Sequence, residues 1–502
     1  YAILDLSEIE LISKGNRAYS KNKFNDALNL FSKAIEINPL NASNYNQRGK
    51  IYERLRKNNN ALSDYKKAVE LNPQSAESYK NIGDIRNKNK EYVLAINDYS
   101  MAINLNAKLV NAYNNRGLAK KMINDLKGAE LDFSTAINLK PNFASPYCNR
   151  GLIKDMKGDL LEAIDDYTKA IKINPNFVEV YNNLGTTYMA KGELDSAEDS
   201  LRGAIKERPD YSIAYNSLGL VLVEMGRERE ALDSYLQALK LSPDFSSAHD
   251  NLGNLYGRLG NYDRAISHYK QAMLTAPDNP SPRNNLGTLF KELGRNKEAR
   301  SYYEEAISAM PEFAEAYNNL GNAKNALKDY SGAISDYKKA IEINPNFADA
   351  YFNRGISKAN LKEYSGAISD FTKTIEINPN YASAYFNRGI AKLNLKDYYG
   401  VISDNTKAIK INPNYAEAYV NRGYVKNYLK DYAGAISDFT KAIEINPNYA
   451  EAYVNRGNAK ANVKDYYGAI SDNTKAIKIN PNYVEAYVNR GYVKNYLKDY
   501  AG

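Results

Sequence analysis

Asparagine side chains recur at a spacing of 34 residues or its multiples from Asn81 to Asn489, and this amide column is the feature best suited to bind another molecule. A carboxamide offers both a hydrogen-bond donor and an acceptor, so a row of them can bind the backbone of an extended peptide without reading its sequence. Asparagine is a poor helix-interior residue, so its recurrence needs a reason. The column consists of Asn81, Asn115, Asn149, Asn183, Asn251, Asn285, Asn319, Asn353, Asn387, Asn421, Asn455 and Asn489.

Aromatic side chains close to the column in the later part of the chain supply candidate anchors, since interfaces are enriched in aromatic residues. These candidates are Phe352, Phe386, Tyr424, Tyr428, Tyr492 and Tyr496. Amides and tyrosines together suit a peptide best, and a glycan ranks lower because no carboxylate pair or aromatic cluster singles out a sugar site. The competing interpretation is that asparagine, abundant throughout this chain, was copied with each repeat.

The column is one position of a longer pattern. Numbered from 1 to 34, the repeat pattern reads Tyr at position 4, Asn at 6, Gly at 8, Ala at 20, Tyr or Phe at 24, Ala at 27 and Pro at 32. Residues 1–7 form an N-terminal tail, residues 8–483 form fourteen repeats and residues 484–502 form an incomplete fifteenth. Repeats 1 to 15 start at residues 8, 42, 76, 110, 144, 178, 212, 246, 280, 314, 348, 382, 416, 450 and 484.

Each position of the pattern has a physical role. Glycine and alanine are small where two helices must cross closely, and the aromatic residues fill the space beside that contact. The Asn-Pro pair, as in Asn344 and Pro345, stops the second helix because proline disfavours helical geometry in the residue before it. Each repeat is therefore predicted to be a helical hairpin, and the hairpins must stack to bury their apolar faces.

This pattern resembles the tetratricopeptide repeat family, with Tyr in place of the family's usual Trp at position 4 in twelve of fifteen repeats. The resemblance implies an all-α fold, a right-handed α-solenoid superhelix in which the first helix of each repeat lines the inner groove. It covers residues 8–502. The amide column is similar to the inner-groove asparagines in the superhelix of O-linked N-acetylglucosamine transferases.

Catalytic chemistry is not indicated. The two histidines, His249 and His268, stand in different predicted helices, no phosphate-binding glycine loop occurs, and neither a metal nor a cofactor is predicted. The net charge of +8 is spread along 502 residues, which does not favour nucleic acid, and no apolar stretch is long enough to insert into a membrane. The chain is therefore predicted to be non-enzymatic, with proteins or peptides as partners.

Arginine at position 7 needs an acidic partner, because an unpaired charge inside a hairpin is costly. Aspartate at position 23 is the candidate, and the spacing allows pairing either within a repeat or with the preceding repeat. The second version is favoured because it accounts for Asp336, whose own repeat carries Leu320 at position 7.

The sequence thus predicts a protein-interaction scaffold that binds extended peptide segments in its inner groove. One alternative is a structural array whose copies associate end to end, the apolar tail beyond a capping box of Ser7 and Glu10 covering the open face of the last helix. Another is one part of a transferase whose catalytic domain lies elsewhere. The compartment stays open: the single cysteine, Cys148, favours the cytoplasm, and a cleaved signal would mean secretion or the cell surface.

Overall fold

The computed structural model describes residues 6–498, which contain twenty-nine α-helices and no strand. The chain forms two compact halves, residues 1–251 and 252–502, and the division falls within α15 (Ser246–Arg258). The helices before α15 are α1 (Leu6–Ser20), α2 (Phe24–Ile37), α3 (Ala42–Arg54), α4 (Asn58–Leu71), α5 (Ala76–Lys88), α6 (Tyr92–Leu105), α7 (Val110–Met122), α8 (Leu126–Leu139), α9 (Ala144–Lys157), α10 (Leu160–Ile173), α11 (Val178–Lys191), α12 (Leu194–Glu207), α13 (Ser212–Glu224) and α14 (Glu228–Leu241). The helices after it are α16 (Tyr262–Thr275), α17 (Ser281–Glu292), α18 (Asn296–Ala309), α19 (Ala314–Ala326), α20 (Tyr330–Ile343), α21 (Ala348–Asn360), α22 (Tyr364–Ile377), α23 (Ala382–Asn394), α24 (Tyr398–Ile411), α25 (Ala416–Tyr428), α26 (Tyr432–Ile445), α27 (Ala450–Asn462), α28 (Tyr466–Ile479) and α29 (Val484–Tyr496).

Odd-numbered helices are the first helices of the repeats and even-numbered helices are the second. The predicted all-α class is confirmed, and each half is a helical-repeat solenoid. The second helices stop where the Asn-Pro pair was expected to stop them. Asn344, for example, leaves the helix with φ −125° and ψ 92°, and its N–H still donates to the carbonyl of Ala340.

The turn between the two helices places position 15 in the left-handed region in all fifteen repeats. Glycine occupies it in five repeats, as in Gly192 with φ 85°. The other repeats place asparagine, arginine or lysine there, as in Lys362 with φ 63°. A side chain at such a φ costs about 1 to 2 kcal/mol, so the packing of the hairpin fixes this turn even where no glycine favours it.

In eleven of the fourteen full repeats the hairpin is held by the ring at position 24 lying over the glycine at position 8. A methyl group on Gly355 would come within 2.7 Å of the ring of Phe371, and one on Gly321 within 2.6 Å of the ring of Tyr337. Glycine is therefore required for this close approach of the two helices.

Neighbouring repeats share one core. Phe439 and Ala435 of α26 pack in the same buried cluster as Ala452 and Ala459 of α27, which belongs to the next repeat. Because no hairpin buries its apolar face by itself, the stability of each repeat depends on its neighbours.

The first helix carries a buried carboxylate that the sequence pattern does not reveal. Glu8 is fully buried at position 1, where Ala is the usual residue. Its carboxylate accepts hydrogen bonds from the amides of Asn38, Asn41 and Asn44 at 2.9, 2.7 and 2.7 Å. These charge-assisted bonds tie α1 to the start of repeat 2.

The predicted capping box at the start of α1 is wrong. The helix already includes Leu6, so Ser7 lies inside it, and Glu10 forms an ion pair with Lys14 at 2.7 Å instead of capping. The rest of the predicted tail, and the last four residues of the incomplete repeat, lie outside the described residues. End-to-end association therefore stays a prediction.

Replacing Gly355 with Leu should lower the local stability of α21 and α22 by about 1 to 3 kcal/mol, because the new side chain must displace the Phe371 ring. Native-state hydrogen exchange would measure this loss. Gly257, in α15, offers a control inside a complete repeat, since a methyl there would make only an ordinary contact with Leu289 at 3.6 Å. Equal effects of the two substitutions would show that the ring contact does not hold the hairpin.

Candidate functional site

The amide column lies on the first helices of the repeats. We call the face that carries positions 6, 9 and 13 the amide face, since these positions fall on one side of a helix. Eleven of the twelve column asparagines are half-buried, and Asn81 is buried. They therefore line a surface and do not belong to the core.

Five of the twelve column asparagines donate their amide nitrogen to an asparagine at position 5 of the preceding repeat. Five such pairs span neighbouring repeats. The pairs are Asn81 to Asn46 at 3.1 Å, Asn149 to Asn114 at 3.0 Å, Asn251 to Asn216 at 3.0 Å, Asn319 to Asn284 at 3.0 Å and Asn353 to Asn318 at 3.1 Å. In this part of the column, asparagine links adjacent repeats.

Two column asparagines donate to a different acceptor in the preceding repeat, Asp84 at position 9 or Cys148 at position 5. Asn115 donates to the carboxylate of Asp84 at 2.8 Å, and Asn183 donates to the sulfur of Cys148 at 4.0 Å. Burial raises the pKa of the Cys148 thiol to about 11, which is typical of a cysteine that packs in a core. Conversely, the buried carbonyl oxygen of Asn182 has no partner, because the next repeat has Ser217 at position 6.

The pairing ends in repeat 12. From repeat 11 onwards position 5 is apolar, so the asparagine of the following repeat loses its acceptor. Asn387 instead donates its amide nitrogen to the carbonyl of Ser383, in its own helix, at 2.8 Å. Asn455 forms no side-chain hydrogen bond with any described residue, and the amide nitrogens of Asn421 and Asn489 are buried without a partner. The column therefore contains a paired part and an unpaired part.

Phe352 and Phe386 replace asparagine at position 5 and pack inside the array. Their ring centroids lie 4.9 Å from those of Tyr381 and Tyr415, respectively, and Phe352 also lies 5.7 Å from Phe371. Both phenylalanines are half-buried. They place apolar rings at position 5, where earlier repeats supply the acceptor for the column asparagine.

The four predicted tyrosines project from the amide face. Tyr424 and Tyr428 are 49% and 60% exposed, which leaves most of each ring able to contact a ligand. The ring of Tyr428 also lies 4.6 Å from that of Tyr398, and hydrogen bonding between these two hydroxyls raises the pKa of Tyr398.

The same arrangement recurs 68 residues later. The ring centroids of Tyr466 and Tyr496 lie 4.8 Å apart, and Tyr492 and Tyr496 are exposed. Residues 419–434 are identical to residues 487–502, so the sequence repeats together with this cluster.

The early and late repeats also differ in the charged residues that they carry on the amide face. Lys50, Arg54, Asp84 and Lys88 occupy positions 9 and 13 in repeats 2 and 3. In repeats 10 to 15, positions 6, 9 and 13 carry no charged residue. At these three positions the later repeats therefore present amides, tyrosines and small apolar groups. One helical turn before the column asparagine, position 2 carries an exposed carboxylate in repeats 10, 11, 13, 14 and 15.

Seven of the eight arginines at position 7 pair with aspartates of their own repeat, so the favoured pairing with the preceding repeat is wrong. Each of the seven makes two hydrogen bonds to one carboxylate, and the eighth, Arg490, donates to the hydroxyl of Thr474 at 3.4 Å. The seven pairs are Arg48 with Asp64, Arg116 with Asp132, Arg150 with Asp166, Arg354 with Asp370, Arg388 with Asp404, Arg422 with Asp438 and Arg456 with Asp472.

The link to the preceding repeat runs through a hydroxyl instead. In repeat 12, Arg388 donates to Asp404 at 2.6 Å and also to the hydroxyl of Thr372, in repeat 11, at 3.0 Å. Lys392 at position 11 binds the second oxygen of Asp404 at 2.9 Å. One buried carboxylate thus holds two cations, and one arginine joins two repeats.

Asp336, which suggested the other pairing, is explained by this lysine position. Lys324 of the same repeat lies 2.7 Å from its carboxylate. Burial raises the pKa of Asp336, and Leu320 stands where other repeats supply an arginine. The sequence analysis missed the role of position 11 because it considered only arginine as a partner.

Replacing Asp404 with Ala should destabilise α23 and α24 by about 3 kcal/mol, since it leaves Arg388 and Lys392 partly buried without their carboxylate. Replacing Glu376, whose ion pair with Lys373 is exposed, should cost less than about 1 kcal/mol. Hydrogen exchange of the intact chain would measure both. A loss at Asp404 no larger than that at Glu376 would contradict the structural role of this network.

The described residues offer neither a metal-binding cluster nor a membrane-spanning helix. Within residues 6–498, no group of three or more His, Cys, Asp or Glu side chains could hold a metal ion. None of the described helices is long and apolar enough to cross a membrane.

Comparison with protein-family models identifies the repeat. Tetratricopeptide repeat models match residues 42–75, 178–211, 244–312, 314–347, 348–381, 416–449 and 450–483. A TPR repeat model matches residues 15–55, 156–192 and 221–260. Together these ranges cover more than half of the chain. The search of curated proteins finds no match.

Several solved structures are similar to the chain. A chain of the APC/C hetero-tetramer Cut9-Hcn1 has a TM-score of 0.53 at 16% identity, over 97% of this chain and 96% of that chain. Yeast Tom70 has a TM-score of 0.43 at 16% identity, over 84% and 96%. YrrB, a TPR protein with an unusual peptide-binding site, has a TM-score of 0.34 at 24% identity, over 38% and 97%. The first of these likenesses supports the helical-repeat fold.

Proposed function

The chain belongs to the tetratricopeptide repeat family, and on that premise we propose that it is a non-enzymatic scaffold that binds extended peptide segments of partner proteins. The binding surface is the amide face of repeats 10 to 15. We also propose that this column is similar in role to the inner-groove asparagines in the superhelix of O-linked N-acetylglucosamine transferases.

The unpaired part of the column carries the proposal. Earlier asparagines bond to the preceding repeat, whereas the Asn455 side chain bonds to no described residue. Neither atom of its amide is buried without a hydrogen bond, so the amide lies where another molecule can reach it. Asn387 bonds only to its own helix. An extended peptide presents one N–H and one carbonyl per residue, and a carboxamide satisfies both. These amides are therefore available to a bound backbone.

Exposed tyrosines supply the apolar part of the surface. Tyr424 and Tyr428 lie one and two helical turns after Asn421 on the same face of α25. Tyrosine combines a large ring with a hydroxyl and loses little conformational entropy on binding. The two rings therefore serve as anchors for side chains of the segment whose backbone the amides hold.

The absence of basic side chains at positions 6, 9 and 13 of the later repeats bears on the class of partner. Nucleic acid requires basic side chains for its phosphates, and repeats 10 to 15 have none at positions 6, 9 and 13. A segment with few charges suits the surface best. Binding should accordingly depend little on salt, because no ion pair is formed.

A selection experiment with the intact chain would test this function. Peptides of random sequence would be selected against the chain by display, and their affinities measured by fluorescence anisotropy. Replacing Asn387, Tyr424 and Asn455 together with Ala should weaken the selected peptides at least about tenfold, since each lost contact contributes about 1 kcal/mol. Helix content and thermal unfolding should stay unchanged.

A matched variant controls for the loss of three polar side chains. Asn380, Asn414 and Asn448 occupy position 33, in the exposed turn after each second helix. Their replacement with Ala should leave peptide affinity within about twofold. Equal binding by both triple variants, or an affinity that falls steeply between about 50 and 500 mM salt, would contradict the proposed site.

A further inference from the structure

Repeats 12 and 14 differ from their neighbours at the centre of the hairpin. The ring at position 24 normally covers the position-8 glycine, and a tyrosine there extends to the amide face. Tyr337, for example, donates to Asn322 at position 9 over 2.9 Å. In repeats 12 and 14 this residue is Asn405 or Asn473, whose shorter side chain leaves unfilled the space that the outer part of a ring would occupy.

Both asparagines are enclosed and incompletely bonded. Asn405 is 0% exposed and Asn473 is 1% exposed. Each donates its amide nitrogen to a carbonyl of its own helix, that of Val401 or Ala469, at 2.9 Å. The carbonyl oxygen of each is buried without a partner. A buried acceptor in this state is destabilising.

The amide of the next repeat enters the space that the ring would fill. A methyl on Gly389 would lie 2.9 Å from the amide nitrogen of Asn405 and 3.8 Å from that of Asn421. The corresponding point in repeat 11 is filled by the ring of Phe371. The Asn421 nitrogen is therefore turned into the hairpin, where it is buried without a partner.

Asn489, which follows Asn473, has the same buried and unpaired nitrogen. Repeat 13 provides the contrast, because Phe439 fills its hairpin completely. The asparagine after it, Asn455, has no amide atom that is both buried and unpaired. In repeats 13 to 15 the state of the column amide thus follows the residue at position 24 of the preceding repeat.

We infer that Asn405 and Asn473 are positioning residues for the amide face, each drawing the amide of the following repeat inward and making hairpins 12 and 14 weaker than hairpins 11 and 13. In repeats 13 to 15 the amide of Asn455 stays on the face, while the amides of Asn421 and Asn489 are withdrawn. The importance of this alternation for ligands rests on the proposed function. The side-chain positions and the weakness of the two hairpins do not.

The chain itself supplies the design of the test. Repeat 13 combines Ala435 with Phe439, whereas repeat 12 combines the larger Val401 with Asn405. The double variant V401A/N405F therefore gives repeat 12 the packing pair of repeat 13. In repeat 14 the position-20 residue is already Ala469, so N473F alone makes the same conversion. F439N converts repeat 13 in the opposite direction.

Crystal structures and hydrogen exchange of these variants, without any peptide, test the inference. In V401A/N405F the Asn421 amide should move to the amide face, and exchange in α24 should slow about tenfold or more as the buried unpaired atoms disappear. N473F should do the same for Asn489 and α28. F439N should turn Asn455 inward and speed exchange in α26 about tenfold.

An Asn421 amide that keeps its inward position in V401A/N405F, or unchanged exchange in α24, would overturn the inference. If F439N unfolds the array, the results for V401A/N405F alone decide whether the inference holds. Peptides selected as above should bind V401A/N405F more tightly, because a further amide is displayed. A chain that selects no peptide refutes the proposed function and leaves the structural readouts intact.

Discussion

The crossing of two helices at a glycine, under the ring of position 24, is the contact on which the rest of the structure depends. The ring approaches so closely that even a methyl group on Gly321 or Gly355 would collide with it. This contact fixes the rotation of both helices about their axes. It therefore aligns positions 6, 9 and 13 of successive repeats into one face, and positions 7 and 23 into the charged network behind it. The surface columns are a consequence of the core.

The sequence predicted the helical hairpins well, because glycine, alanine and proline act directly on the backbone. Asn344 and Pro345 end α20 where expected. The turn between the two helices was not predicted, since lysine seldom adopts the left-handed conformation seen at Lys362. Its local cost is smaller than the gain from closing the hairpin in register. Hairpin packing, an interaction distant in sequence, decides that turn.

Side-chain pairing was predicted less well than backbone structure. The location of the amide column could be read from spacing, but its partners could not, because they depend on position 5 of the preceding repeat. The arginine network failed for a related reason. Both pairings fit a strict 34-residue period equally, and only the packed hairpin shows that Arg388 reaches Asp404 of its own repeat and Thr372 of the one before.

The same asparagine can therefore stabilise the array or face a ligand, depending on one neighbouring residue. Asn353 bonds to Asn318, but the apolar Val420 leaves Asn455 without an acceptor. An unpaired amide is tolerated on the amide face because water or a peptide can bond to it, whereas inside a hairpin it is destabilising. Position 5 thus decides whether an amide is released, and position 24 of the preceding repeat decides whether the released amide stays on the surface.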